Sequence, residues 1–266
     1  MLSDDSLLVR IAGDWRSLLP GPSAGVLQLL HPTIGDAVYT QSDFMEDPFG
    51  RVYRSIPQIW ATLLAPDREE RGRRIRDTHK QIRGALNPDA FWWAHATFTW
   101  EMFRATELFF ARRLDADDER QLYAETVEWY RQYGVSMRPV PATYADFRAR
   151  FAEVIATDLE LTPAATHTID IGTTGGFELP GGPPGMERLV APVARAVLFG
   201  AMPRDVRRRF DLPFTTADRW QLRAVSTALK AGGAVVPTSV NRAFLTWRLR
   251  ALGAATRDQR YVPAAT

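Results

Sequence analysis

Residues 71–84, RGRRIRDTHKQIRG, gather groups that can do chemistry: five arginines, one lysine and one of the chain's four histidines. Their spacing matters more than their number. The pattern predicts a helix over 67–83 with Gly84 as its C-terminal cap. On that helix Arg76 lies three residues before His79 and Arg83 four after it, so the three share a face. A neutral imidazole between two guanidinium groups suits a planar dianion whose centre takes a nitrogen donor and whose edge carries carboxylates. Haem is such a ligand, with iron taking a histidine and the propionates taking arginines. His79 is therefore the candidate metal ligand, and Arg76 and Arg83 are candidate cofactor-binding residues. The plainer reading leaves His79 in a helical scaffold, paired with Asp77 or a loop carbonyl.

A second histidine, His95, falls in FWWAHATFTWEMF, a segment so apolar all round that deep burial is expected. There it is either an alternative cofactor ligand or a hydrogen-bonded core residue, and for a lone histidine the core reading has the better prior. Upstream, Arg51 and Ser55 share a face at i, i+4 with Arg54 beside them. That trio is either a polar cluster facing a ligand or a solvated helix face. His167 stands in TPAATHTIDIGTTGGFELPGGPPG, rich in Gly, Pro and Thr, and is expected in a loop.

Those groups must be positioned by helices. Apolar residues recur at helical spacing over 4–19, 24–30, 33–40, 51–64 and 144–157. Further helices are expected over 89–114, 117–133, 186–199, 204–210, 216–231 and 241–251. Ser23 is placed as a cap for the second of these, and Pro57 is expected to kink or restart the fourth. No repeat and no sustained alternation appears. The fold class is all-α: one large domain of about ten helices, with residues 1–155 as the core holding a haem pocket and 156–266 as a Gly/Pro-rich loop and helical extension.

Composition narrows the chemistry. With 45% apolar and 24% charged residues, the chain can bury a sizeable core. A net charge of +2 gives no reason to expect nucleic acid. There is no cysteine, so disulfides, iron–sulfur clusters and thiolate haem are excluded. A serine hydrolase is not the expectation, and neither His-Glu-x-x-His nor Glu-x-x-His occurs, which sets aside zincins and di-iron bundles. No signal peptide and no apolar run of membrane-spanning length is seen, so a cytoplasmic location without stable membrane insertion is expected.

Five segments occur in a telling order: LLHP at 29–32, SDFMEDPFGRVYRS at 42–55, IRDTHKQIRG at 75–84, FWWAHATF at 91–98 and PATYADFRARF at 141–151. In this the chain resembles the MpaB-type oxygenases, whose best-understood relative is the latex clearing protein. The resemblance implies an all-α fold holding a b-type haem that reacts with dioxygen, with His79 as the proximal iron ligand. It also implies that Arg51, Arg54 and Ser55 stand where the relative has a distal Arg-x-x-Lys-Thr pattern. Asp36 is the acid available in place of the relative's upstream acidic residue. The expected partners are dioxygen and a small apolar substrate, the protein being a monomer or homodimer. The alternative is a haem- or lipid-binding helical protein without turnover, and beyond that a cofactor-free interaction protein.

Overall fold

In the computed structural model, which describes residues 2–176, 185–233 and 236–255, the longest helix runs over Pro88–Phe109. It is α6. Before it come α1 (Leu7–Ala12), α2 (Gly21–Leu29), α3 (Pro32–Gln41), α4 (Pro48–Leu64) and α5 (Arg68–His79). After it come α7 (Ala116–Arg131), α8 (Tyr144–Thr157), α9 (Pro163–Thr174), α10 (Met186–Ala201), α11 (Arg204–Arg209), α12 (Thr216–Gly233) and α13 (Thr238–Ala255). Two 3₁₀ turns, Trp15–Leu18 and Asp43–Met45, complete the elements, and no strand occurs among the described residues. The all-α expectation holds, with thirteen helices among the described residues where about ten were expected.

α6 starts where the sequence says it should. The Asn87 side chain accepts from the Asp89 and Ala90 amides, and Pro88 occupies the first turn. Its buried residues include Trp92, Trp93, His95, Thr99, Met102 and Phe109, which leave almost no side uncovered. Burying so many aromatic rings carries polar N–H groups inside, and three indoles donate to carbonyl or hydroxyl oxygens of neighbouring helices. Trp93 Nε1 donates to the Leu27 carbonyl of α2 at 2.9 Å. Trp60 Nε1 on α4 donates to the Ala12 carbonyl of α1 at 3.0 Å. Trp129 Nε1 on α7 donates to Thr62 Oγ1 of α4 at 2.7 Å. These bonds fix how neighbouring helices sit against one another.

The expected helix over 4–19 is instead two elements. Asp14 accepts from the Arg16 amide and takes the Arg16 guanidinium back on both carboxylate oxygens, at 2.9 and 2.7 Å, which starts a separate 3₁₀ turn. Arg16 Nη1 also donates to the Phe109 and Leu229 carbonyls, and the guanidinium lies 4.5 Å from the Phe110 ring centre. A single buried arginine thus ties the N-terminal segment to the end of α6 and to α12.

Three other expectations need correction. The helix predicted over 67–83 stops at His79, because Lys80, Gln81 and Arg83 are exposed and have no apolar face to bury; Gly84 sits beyond at φ +80°. Residues 163–174, expected as loop, form α9. Thr162 caps it, Pro163 takes its first turn, and Ala164, Ala165, Ile169 and Gly172 bury a face that outweighs the weak helix propensity of its threonines and glycines. Ser23 lies inside α2 rather than before it, and its hydroxyl donates to the Leu198 carbonyl of α10 at 2.6 Å. α4 runs as one helix through Pro57. The polar tail 257–266 lies outside the described residues, as does the Gly/Pro-rich part at 177–184.

Replacing Arg16 by Leu leaves the Asp14 carboxylate buried without its cation, an arrangement that costs about 3–5 kcal/mol. Urea unfolding of Arg16→Leu is expected to show that loss. The double variant Asp14→Asn, Arg16→Leu is expected to recover part of it.

Candidate functional site

α4 and α5 form an antiparallel hairpin joined at residues 65–67. The hairpin brings the start of α4, with Arg51, beside the end of α5, with His79. α5 has almost no apolar content. It is held outside by ion pairs such as Arg71–Asp67 and Arg74–Glu70, and inside by Gly72, where a Cβ would approach the Gln132 carbonyl oxygen to 2.9 Å. A side chain there would push α5 away from the turn after α7.

His79 closes α5. Its Nδ1 lies 2.7 Å from the Ile75 carbonyl oxygen, and a carbonyl can only accept, so Nδ1 carries the proton. Nε2 is then the lone-pair nitrogen, and it has no hydrogen-bond partner among the described residues. Burial lowers the imidazole pKa, the Ile75 carbonyl opposes this in part, and the nearby Arg51 guanidinium adds a smaller lowering. The ring meets Phe91 edge-on at 5.9 Å, and Phe91 in turn packs edge-on against Tyr130 and Tyr133. The result is a neutral, oriented imidazole with its donor nitrogen available. A bound metal asks that of histidine: the second nitrogen held by a carbonyl, the first left for the ion. The residues present therefore fit a metal that would be held through His79. Among the described residues no group of three or more acidic or histidine side chains converges as a metal cage.

The remaining site residues divide. Arg54 is clamped by two carboxylates, Asp43 and, at 3.3 Å, Asp47. Asp47 also caps α4 through the Gly50 amide. Ser55 turns its hydroxyl onto the Arg51 carbonyl at 2.9 Å. Asp36 is exposed on α3. Arg76 shares the helical face of His79, three residues before it, but Arg83 does not, because α5 ends first. Arg76 pairs with Asp77 at 2.9 Å. Arg83 lies in the turn after α5, its backbone tied to the Gln41 side chain.

His95 sits elsewhere, on α6. Its Nε2 bonds the Thr126 carbonyl of α7 at 2.9 Å, and its ring is enclosed by Trp129, Tyr130 and Tyr133. The carbonyl makes Nε2 the protonated nitrogen and leaves Nδ1 buried without a partner. His167 lies on α9, with its ring 6.4 Å from that of Phe44.

Several residues escape a reading by spacing. The Ile75 carbonyl, which sets the tautomer of His79, has no signature beyond its i−4 position. Asp43 and Asp47 lie outside the helix whose arginine they hold. Glu101 on α6 has no exposed surface and no partner for either carboxylate oxygen, so burial pushes its pKa well up and keeps it neutral. Residues 21–25, Gly-Pro-Ser-Ala-Gly, have the form of a nucleophile elbow despite the expectation against serine hydrolases. Geometry closes the matter, since Ser23 is buried inside α2 with its proton committed to Leu198.

Residues 9–231 match the catalytic domain of the family described as ER-bound oxygenase mpaB/B'/rubber oxygenase. The chain belongs to this family. The match runs from α1 through most of α12 and takes in the α4–α5 hairpin with Arg51 and His79. No curated protein and no solved structure matches the chain. Membership makes this an oxygenase-family enzyme, one that uses dioxygen and an oxidisable substrate. No helix among the described residues is long and apolar enough to cross a membrane.

The two buried groups of α6 act on stability with opposite signs. His95 is held at about 4 against an ordinary 6.5 by burial, so folding loses free energy as pH falls from 6.5 to about 4. The full loss is about 3 kcal/mol. Glu101 is raised above 4.5, so its contribution weakens folding as pH climbs past 4.5. Denaturant unfolding against pH is expected to show a flatter acid limb for His95→Gln. Glu101→Gln is expected to gain stability progressively above pH 4.5.

Proposed function

We propose that this chain is a haem b-dependent oxygenase that binds iron through His79 and oxidises a small apolar organic substrate. One observation carries the reading: His79 is neutral, its Nδ1–H is held by the Ile75 carbonyl, and its Nε2 lone pair is left for a ligand. Membership of an oxygenase family supports the reaction class. When bound, the haem supplies the activation of dioxygen.

The chain's own residues do the rest. Ile75 fixes the imidazole plane and strengthens its donor nitrogen. Arg51 supplies a positive charge beside His79, suited to negative charge that develops on oxygen. Arg54 beside it is held by Asp43 and Asp47. Ser55, bonded to the Arg51 carbonyl, stiffens this turn of α4. Arg83 has no acidic partner among the described residues, and Arg76 holds only an exposed Asp77. Both are thus available to carboxylates at little cost. Asp36 is the acid the resemblance offers as a base. Phe91, edge-on to His79, puts an apolar ring beside it, which fits a hydrocarbon-like substrate. His95, committed to Thr126, serves the core.

Protein from haem-supplied cells is expected to show a Soret band that shifts on reduction and again with carbon monoxide. His79→Ala is expected to lose that band while keeping its far-ultraviolet helical signal. Normal haem binding by this variant sinks the ligand assignment. Arg51→Leu is expected to keep the band and to lower substrate-dependent oxygen uptake by roughly 10²-fold.

A further inference from the structure

Away from the α4–α5 hairpin, a cleft of about 620 Å³ opens between α6, α10, α11 and α12. We propose that this cleft is a second binding site, taking a phosphate monoester carried on an apolar tail. It lies toward the far end of α6. Arg104, on its wall, is separated from Phe91 beside His79 by about 20 Å of helix.

Charge is the first argument. Five arginines, Arg104, Arg204, Arg207, Arg219 and Arg223, line the cleft against a single acid, Glu107. Three of them have structural work. Arg104 donates to the Gly200 and Ala201 carbonyls, and Arg207 to those of Phe199 and Met202, so both satisfy the open C-terminal carbonyls of α10. Arg104 also takes Glu107. Arg219 is spent on the Phe214 carbonyl and Thr216.

Arg204 and Arg223 differ. Both are exposed, and neither has an acidic partner among the described residues; Arg223 only lies over the Trp220 ring. Arg207 is pushed below the ordinary arginine range, by burial first and then by Arg104 and Arg204, so the guanidinium groups crowd one another. An anion entering here relieves that repulsion. Two uncommitted guanidinium forks match a dianionic phosphate better than a single carboxylate.

The second argument is the lining. Trp100, Leu108, Phe214 and Leu222 give the cleft apolar surface, as a tail would need. Ser226 lines the same cleft, and its hydroxyl is buried with no protein partner. A polar group left so asks for one from a ligand. The volume falls within the range of small-molecule sites.

The test is isothermal titration of the whole protein with decyl phosphate below its micellar concentration, beside inorganic phosphate and decanol. Decyl phosphate is expected to bind at least about tenfold more tightly than either fragment, and more weakly as salt rises. The double variant Arg204→Gln, Arg223→Gln is expected to lose at least about tenfold in affinity with its helical signal unchanged. His79→Ala is expected to bind decyl phosphate as the parent does, which separates this site from the haem reading. Equal binding of inorganic phosphate overturns the amphiphile, and equal binding of decanol overturns the anion. Unchanged affinity in the arginine variant overturns the location.

Discussion

Every buried N–H on the central helix and its neighbours must reach an oxygen, and the fold is arranged around that requirement. α6 is apolar on nearly all sides, so other helices have to cover it. Covering it with tryptophan and histidine brings polar atoms into a dry interior. The indoles of Trp60, Trp93 and Trp129 and the imidazole of His95 resolve this by bonding across helix pairs. Each bond has a distance and a direction, which apolar contact alone lacks. Helices α1, α2, α4 and α7 are therefore held to one arrangement.

The candidate site inherits that rigidity at one remove. α4 is pinned through Trp60 and through Thr62, which receives the Trp129 indole. α5 follows because it is hinged to α4 and laid on the turn after α7 through Gly72. Phe91 belongs to α6 itself. His79 is thus set by elements that cannot slide, although α5 contributes almost no apolar surface of its own. A ligating imidazole needs just this combination: a fixed plane, a known tautomer and little competition for its free nitrogen.

The chain is rich in arginine and nearly without lysine. Most arginines close helix ends or pair with acids within a turn or two, which is ordinary structural work. Arg16 does more, because it is buried and joins three segments. Arg51 lies close enough to His79 to lower its pKa, and Arg204 and Arg223 face a cleft lined by a single acid, Glu107.

The sequence by itself determined the all-α class, most helix boundaries, the burial of α6 and the family segments that point to an oxygenase. Those features rest on local periodicity, caps and prolines, which act within a few residues. It also singled out His79 and His95, since a histidine among arginines or aromatics is conspicuous in composition. What each histidine bonds is visible only in the structure: Nδ1 of His79 meets the Ile75 carbonyl of its own helix, whereas Nε2 of His95 meets a carbonyl on α7. The same holds for α9, a helix made by the face it buries against α2, α3 and α10 rather than by its own propensity. It holds too for the early end of α5, which parts Arg83 from the face of His79. Spacing along a chain cannot report which carbonyl a side chain meets 30 residues away, because that contact exists only once the helices have packed.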